Sequence, residues 1–257
     1  MSKINDSKLE FQVGDVNFSM VYVEGGTFKM GAQDENHTAP NYDDEAMDCE
    51  SPVHDVFLSS YYIGETTVTQ ALWKTVMGTT VKHQQGKAVI PRPLCGENDE
   101  SPMYYVYYED VMTFIKRLNN KTNHTFRLPT EAEWEFAARG GNRSCGYKYS
   151  GSNNIDDVAW YDKNSNKIVH PVKSKNANEL GLYDMSGNVW ELCSDWYGSY
   201  DSVKQTNPLG PDYGPFRVWR GGSIFNWEWN CRVSHRHGTY YRRSNCGFRL
   251  VLPVFAS

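Results

Sequence analysis

Apolar positions recur at helical spacing in one clear stretch and are bracketed by helix signals in two more. Val111, Phe114, Ile115 and Leu118 fall at i, i+3, i+4 and i+7, which predicts an amphipathic helix over 109–119 that ends in Asn119-Asn120. Thr69 opens a second helix, Gln70-Ala71-Leu72-Trp73-Lys74-Thr75-Val76-Met77, and Gly78 closes it. In a third, Thr130 is the N-cap and Glu133 stands at the capping-box position, with Arg139 near the negative end. Strand candidates are short: 20–23, 56–63, 217–221 and 247–252. Gly-, Asn- and Asp-rich connections fill 140–215, and no internal repeat is evident. Few regular elements and many aromatic side chains predict an α+β fold whose loops pack as a body.

The C-terminal part breaks the pattern. Between Phe225 and Cys246 the only aliphatic side chain is Val233, while Trp, Tyr, His and Arg crowd the rest and Lys is absent. Those aromatic and Arg residues are enriched at the centres of interfaces, where Lys is depleted. The segment therefore reads as a recognition surface held between two structural clamps, 217–223 and 247–252. Its expected contact residues are Phe225, Trp227, Trp229, His235, His237, Tyr240, Tyr241, Arg242 and Ser244. His235 and His237 would share a face on a strand, where they could touch a metal, but exposed recognition histidines are the preferred reading.

Charge sharpens the picture. Residues 217–249 hold seven Arg against one acid, Glu228, although the whole chain carries −5. Much of the opposing charge lies in Asp34, Glu35, Asp43, Asp44, Glu45, Asp48, Glu50 and Asp55, with no Lys or Arg among them. Such a run reads as a solvated loop ahead of a metal or partner site. Overall acidity argues against a general nucleic-acid binder. The chain of 257 residues, 39% hydrophobic, is long enough to bury a full core, and a single domain over 1–257 is expected. No apolar run approaches a bilayer span and the first residues lack an apolar signal core, so no membrane insertion is expected and the protein is placed in the cytoplasm or on a phage particle. Six Cys without a CxxC pair read as isolated thiols. No HExxH, GxSxG or P-loop pattern is present.

Several motifs occur in one order: Glu24-Gly25-Gly26-Thr27-Phe28-Lys29-Met30-Gly31, Phe126-Arg127-Leu128-Pro129-Thr130-Glu131-Ala132-Glu133-Trp134-Glu135, Gly181-Leu182-Tyr183-Asp184-Met185-Ser186-Gly187-Asn188-Val189-Trp190-Glu191, Arg220-Gly221-Gly222-Ser223 and Gly247-Phe248-Arg249. In this the chain resembles the formylglycine-generating enzyme, or sulfatase-modifying factor, family from about Val21 to Leu252. The resemblance implies a C-type-lectin-like fold, which hosts oxidases, sulfoxide synthase modules and non-catalytic binding proteins alike. The oxidases of this family hold copper between two Cys five residues apart. The second position matches Cys231 but the first matches Asn226, and an amide is a poor Cu(I) ligand. Copper is therefore not expected, nor are catalytic residues. The iron-dependent branch carries its histidines largely in an additional N-terminal domain for which this sequence has no room. Ser223 matches a family active-site serine and equally reads as part of a structural turn, and Trp190 reads as core.

The tail is more similar to the variable-protein branch of this family, whose C-terminal segment is diversified by retroelements in phages and bacteria. His235, His237, Gly238, Thr239, Tyr240, Tyr241, Ser244, Asn245 and Cys246 fall within the residue types that adenine-directed mutagenesis of Asn codons yields, whereas Trp227, Glu228 and Trp229 do not. The resemblance then implies a non-catalytic binder that presents residues 217–252 to a protein or glycan ligand, the alternative being a formylglycine-generating oxidase acting on sulfatase cysteines. It also implies Ca2+ at Asp184, Gly187, Val189 and Glu191, hard oxygen donors in a loop, with a metal-free hydrogen-bonded turn as the other reading, and a second site around Asn154 and Ile155.

Overall fold

The first strands form a hairpin, β1 (Lys8–Val13) with β2 (Val16–Val23). This computed structural model describes residues 7–88, 90–239 and 244–254. Strands are numbered in chain order. β5 (Tyr61–Gly64) runs antiparallel to β2, and β11 (Val251–Pro253) antiparallel to β5, so both ends of the described chain meet in one sheet of order β1-β2-β5-β11. A second sheet has the order β10-β6-β8-β9, from Cys246–Gly247, Trp190–Trp196, Arg217–Arg220 and Arg236–Thr239. A third joins β3 (Gly26–Met30), β4 (His54–Leu58) and β7 (Gln205–Thr206).

The three expected helices form, two of them with their expected caps. α1 (Gln70–Met77) starts where the Thr69 hydroxyl accepts from Leu72 N–H and ends at Gly78 in the left-handed region, φ 72°. α3 (Tyr108–Thr122) buries Val111, Phe114, Ile115 and Leu118 and runs three residues past Asn119. α4 (Glu131–Ala138) opens on the reciprocal Thr130 and Glu133 bonds. Two short helices, α2 (Val81–Gln85) and α5 (Ile155–Val158), escaped the sequence reading, being too short to show a period.

Two expected strands turn out to be split. The 56–63 stretch breaks at Ser59-Ser60 into β4 and β5, which enter different sheets. In the 247–252 stretch, β10 pairs parallel to β6 and β11 antiparallel to β5, with Phe248 crossing between them. Phe248 lies edge-on to Trp73 and Phe114, which stack at 5.3 Å. This aromatic cluster centres one core, and Trp134, Phe136 and Met185 belong to a second. Among the described residues no helix is long and apolar enough to cross a membrane.

Candidate functional site

All eight residues of α4 are buried, its three glutamates included. Such a helix is tolerable only if each carboxylate meets a partner, and two of the partners come from the C-terminal segment. Glu131 takes Arg236 Nε and Nη2 at 2.7 and 2.6 Å. Glu135 takes Arg220 Nη2, together with Arg139 Nε at 2.8 Å and Gly31 N at 2.9 Å. Glu133 pairs with Arg127 of the same motif at 2.7 Å.

Two further arginines of the segment are anchored elsewhere. Arg249 closes on Glu191 at 2.5 and 2.6 Å. Arg232 closes on Glu50 at 2.7 and 2.9 Å and reaches Asp43 at 2.8 Å. Arg220, Arg232, Arg236 and Arg249 are all buried. The expectation that arginine enrichment marks surface is thus corrected: these four are internal struts. The acidic run is corrected with it, since Asp43 and Glu50 hold Arg232, while Asp43, Asp44 and Glu45 converge on Lys148 at 3.3, 3.5 and 2.7 Å.

The glycines of the Arg-Gly-Gly-Ser motif have a steric cause. Gly221 and Gly222 adopt φ of 91° and 73°, and a Cβ on Gly222 would lie 2.7 Å from Cys231 Sγ. The turn brings Ser223 into a polar clasp. Ser223 Oγ donates to Asn226 Oδ1 at 2.5 Å and accepts from Asn245 Nδ2 at 2.6 Å, while Trp190 Nε1 donates to the same Asn226 oxygen at 2.8 Å. Position 226 is therefore a structural acceptor. Burial pushes the Cys231 thiol up to about 12, and with an amide at 226 only one of the two soft sulfur donors that Cu(I) prefers is present. Asn226 and Cys231 together do not fit copper.

Above this clasp lies an aromatic shelf. Trp190, buried as core as expected, packs 5.8 Å from both His235 and His237, and Trp229 meets His235 edge-on at 5.3 Å. Phe225, Trp229 and His237 are half-buried, and Trp227 is 68% exposed. His235 and Ser244, expected on the surface, are buried instead. His235 Nδ1 faces Glu50 Oε1 at 3.2 Å and Nε2 faces Asn230 Nδ2 at 3.2 Å. Burial lowers its pKa, partly opposed by Glu50, so the neutral ring donates to Glu50 and accepts from Asn230. Tyr240, Tyr241 and Arg242 lie outside the described residues.

The calcium set divides. Both Glu191 oxygens are committed to Arg249, and Oε2 also accepts from Trp134 Nε1 at 2.9 Å. Among the described residues Asp184 accepts hydrogen bonds from neutral donors, Lys173 N–H at 3.0 Å and the Asn188 amide at 3.3 Å, and burial pushes its carboxyl up to about 6. Gly187 N–H donates to Gly221 O at 2.7 Å, so that residue ties the loop to the Arg-Gly-Gly-Ser turn. Val189 is buried beside Gly247. As a set of four, Asp184, Gly187, Val189 and Glu191 do not fit the ion, because a cation at Glu191 would confront the Arg249 guanidinium. Among the described residues no three His, Cys, Asp or Glu side chains gather as a metal site.

Sequence reading missed Glu50, Glu131, Glu135 and Glu191 as the frame of this site. One signal was present: seven arginines in a segment with a single acid must find carboxylates elsewhere.

Comparison with known proteins gives this arrangement a context. The profile of the sulfatase-modifying factor enzyme 1-like domain matches residues 10–254. Chaperone protein LppX of Paenibacillus barcinonensis is 33% identical over 80% of this chain and 79% of its own length. The formylglycine-generating enzyme of Streptomyces coelicolor is 30% identical over 89% of this chain and 87% of its own. The chain spans 37% of the length of the Chlamydia caviae serine/threonine-protein kinase pkn1, at 28% identity. Among solved structures, Treponema denticola variable protein 1 matches with a TM-score of 0.80 and 31% identity, covering 96% of this chain and 99% of that one. The loop-rich α+β, C-type-lectin-like fold expected from the motifs is the fold that the chain adopts.

Proposed function

The chain belongs to the sulfatase-modifying factor enzyme 1-like family, and on that premise we propose that it is a non-catalytic member whose C-terminal segment presents a ligand-binding surface. Position 226 carries this reading. The side chain standing where a copper thiolate would be is an amide locked between Trp190 and Ser223, and the remaining thiol, Cys231, is buried. The likeness to Treponema denticola variable protein 1 supports placement beside the variable proteins. Diversification of the segment by a retroelement is part of the proposal; a reverse transcriptase and a template near-copy of the segment in the neighbouring DNA are its expected traces.

In this scheme the four buried arginine pairs hold the frame, while Phe225, Trp227, Trp229 and His237 meet a protein or glycan ligand. Tyr240, Tyr241 and Arg242 extend the same segment. Rigid aromatic side chains supply contact area at low entropic cost. The test is binding by the purified chain to a panel of bacterial surface proteins and glycans, with Trp227→Ser as control. Capture that persists unchanged in that variant argues against the surface.

The second reading, a formylglycine-generating oxidase, draws on the 30% identity to the Streptomyces coelicolor enzyme. Incubation with Cu(I), oxygen and a Cys-x-Pro-x-Arg peptide, followed by mass spectrometry, separates the two. Aldehyde formation that disappears in Cys231→Ser would overturn the non-catalytic reading.

A further inference from the structure

β2 outruns one of its neighbours. β1 pairs with it from Val16 to Val21, whereas β5 pairs only with Met20 to Val23. On the β5 side the last rung is Glu65 N–H donating to Ser19 O at 2.9 Å. Backbone groups two residues apart in a strand point the same way, so the N–H and C=O of Asn17 face that side too. Among the described residues no strand follows there. The chain leaves through 66–69 into α1, and the space that remains is a groove of about 550 Å³, well within the size of ligand clefts.

The far wall of the groove is firmly held. Ala71 N–H donates to Asp99 O and Val172 N–H to Glu100 O, both at 3.0 Å. Thr67, which also lines the groove, has a buried hydroxyl without a hydrogen-bond partner. Charge in the groove is unbalanced. Glu65 is matched by Lys8 at 3.0 Å and Lys173 at 2.5 Å. Asp15, Asp99 and Glu100 are exposed and have no ion-pair partner among the described residues.

An open strand edge is a template for another strand, and three unmatched carboxylates around it select for cations. We propose that this groove binds an extended, Lys- or Arg-bearing peptide segment of a partner protein, which adds as a strand beside Asn17 and sets its basic side chains against Asp15, Asp99 and Glu100. Main-chain hydrogen bonds then supply affinity and the acidic rim supplies selectivity. Of residues 217–252 Leu250 alone among the described ones lines the groove, and none of Phe225, Trp227, Trp229 and His237 does, so this binding does not use the proposed contact residues.

Three fluorescein-labelled peptides test it by anisotropy: Lys-Val-Arg-Val-Lys, Glu-Val-Asp-Val-Glu, and the basic peptide N-methylated at alternate amides. The basic peptide is expected to bind and to shift the Asn17 amide resonance in an NMR titration. The acidic and N-methylated peptides should bind about tenfold more weakly or not at all, and so should the basic peptide with the Asp15→Asn, Asp99→Asn, Glu100→Gln triple variant. These three side chains are exposed and unpaired, so the variant should melt as the parent does. Trp227→Ser should leave peptide binding unchanged. Equal binding of the N-methylated peptide, undiminished binding by the triple variant, or an unmoved Asn17 amide at about 1 mM basic peptide would overturn the proposal.

Discussion

Arg232 and Glu50, 182 positions apart, form a two-point ion pair with neither side chain exposed to solvent. The pair fastens the C-terminal segment to the acidic loop, and His235 donates to the same carboxylate at 3.2 Å. Removing Glu50 leaves a buried guanidinium with Asp43 as its one remaining carboxylate. Glu50→Ala is expected to cost about 3–5 kcal/mol, whereas the apolar double replacement Glu50→Leu with Arg232→Met should recover much of that loss. Denaturant unfolding of the two variants checks it; equal losses would mean that the pair itself, and not the stranded charge, sets the energy.

Frame and shelf should respond differently to truncation. Trp227→Ser, at an exposed position, is expected to change stability by less than about 0.5 kcal/mol and to weaken ligand binding by about 2 kcal/mol or more if it is a central anchor. Phe248→Ala, in the aromatic core, should cost about 3–5 kcal/mol. Melting curves and binding isotherms on the same preparations separate the two effects.

Restoring the missing thiol should not restore catalysis. Asn226→Cys removes the oxygen that accepts from both Trp190 Nε1 and Ser223 Oγ, a loss of about 1–3 kcal/mol for the stranded donors. It adds a thiol at position 226 but breaks the clasp that orients Ser223 and Trp190 there. The expected outcome is a lower melting temperature and no aldehyde in the peptide assay.

Acid should stabilise this protein over part of the pH range. Burial, with the neighbouring Glu131 charge, raises the Asp195 carboxyl from its usual 3.8 to about 7. Between those values the folded chain holds a proton that the unfolded chain has released, so stability falls as pH rises from about 4 to about 7. Glu50 acts oppositely. Burial raises its pKa, but His235 and Arg232 overcome this and leave it below 4.5, so its contribution is lost only as pH falls beneath that range. Asp195→Asn is therefore expected to reduce the slope of melting temperature between pH 4.5 and 7, most clearly above about 6 where the raised Asp184 carboxyl no longer contributes, and to leave the acid limb in place.

Chelation gives a separate test at Glu191. Glu191→Gln strands the buried Arg249 charge and should destabilise by about 3–5 kcal/mol, equally with and without EDTA. A loss seen only in calcium-containing buffer would restore Glu191 as a metal ligand.

Much of the local structure was legible in the chain. The i, i+3, i+4, i+7 apolar spacing, the Thr69 and Thr130 caps and the Gly78 stop each act within a single helix, so neighbours in sequence suffice to specify them. The motif order likewise identified the family, and Asn226 at the copper position was readable as a residue type. Burial of the four arginines was not. Arg220, Arg232, Arg236 and Arg249 look like interface residues because composition reports polarity, whereas their burial depends on Glu135, Glu50, Glu131 and Glu191, which lie 58 to 182 positions away. His235 moved inward with them, and the strand at 56–63 divided because its halves found partners in different sheets. Short-range steric and capping preferences are written residue by residue; the matching of a buried charge to its counterion is a contact between distant segments, and only the folded chain could decide it.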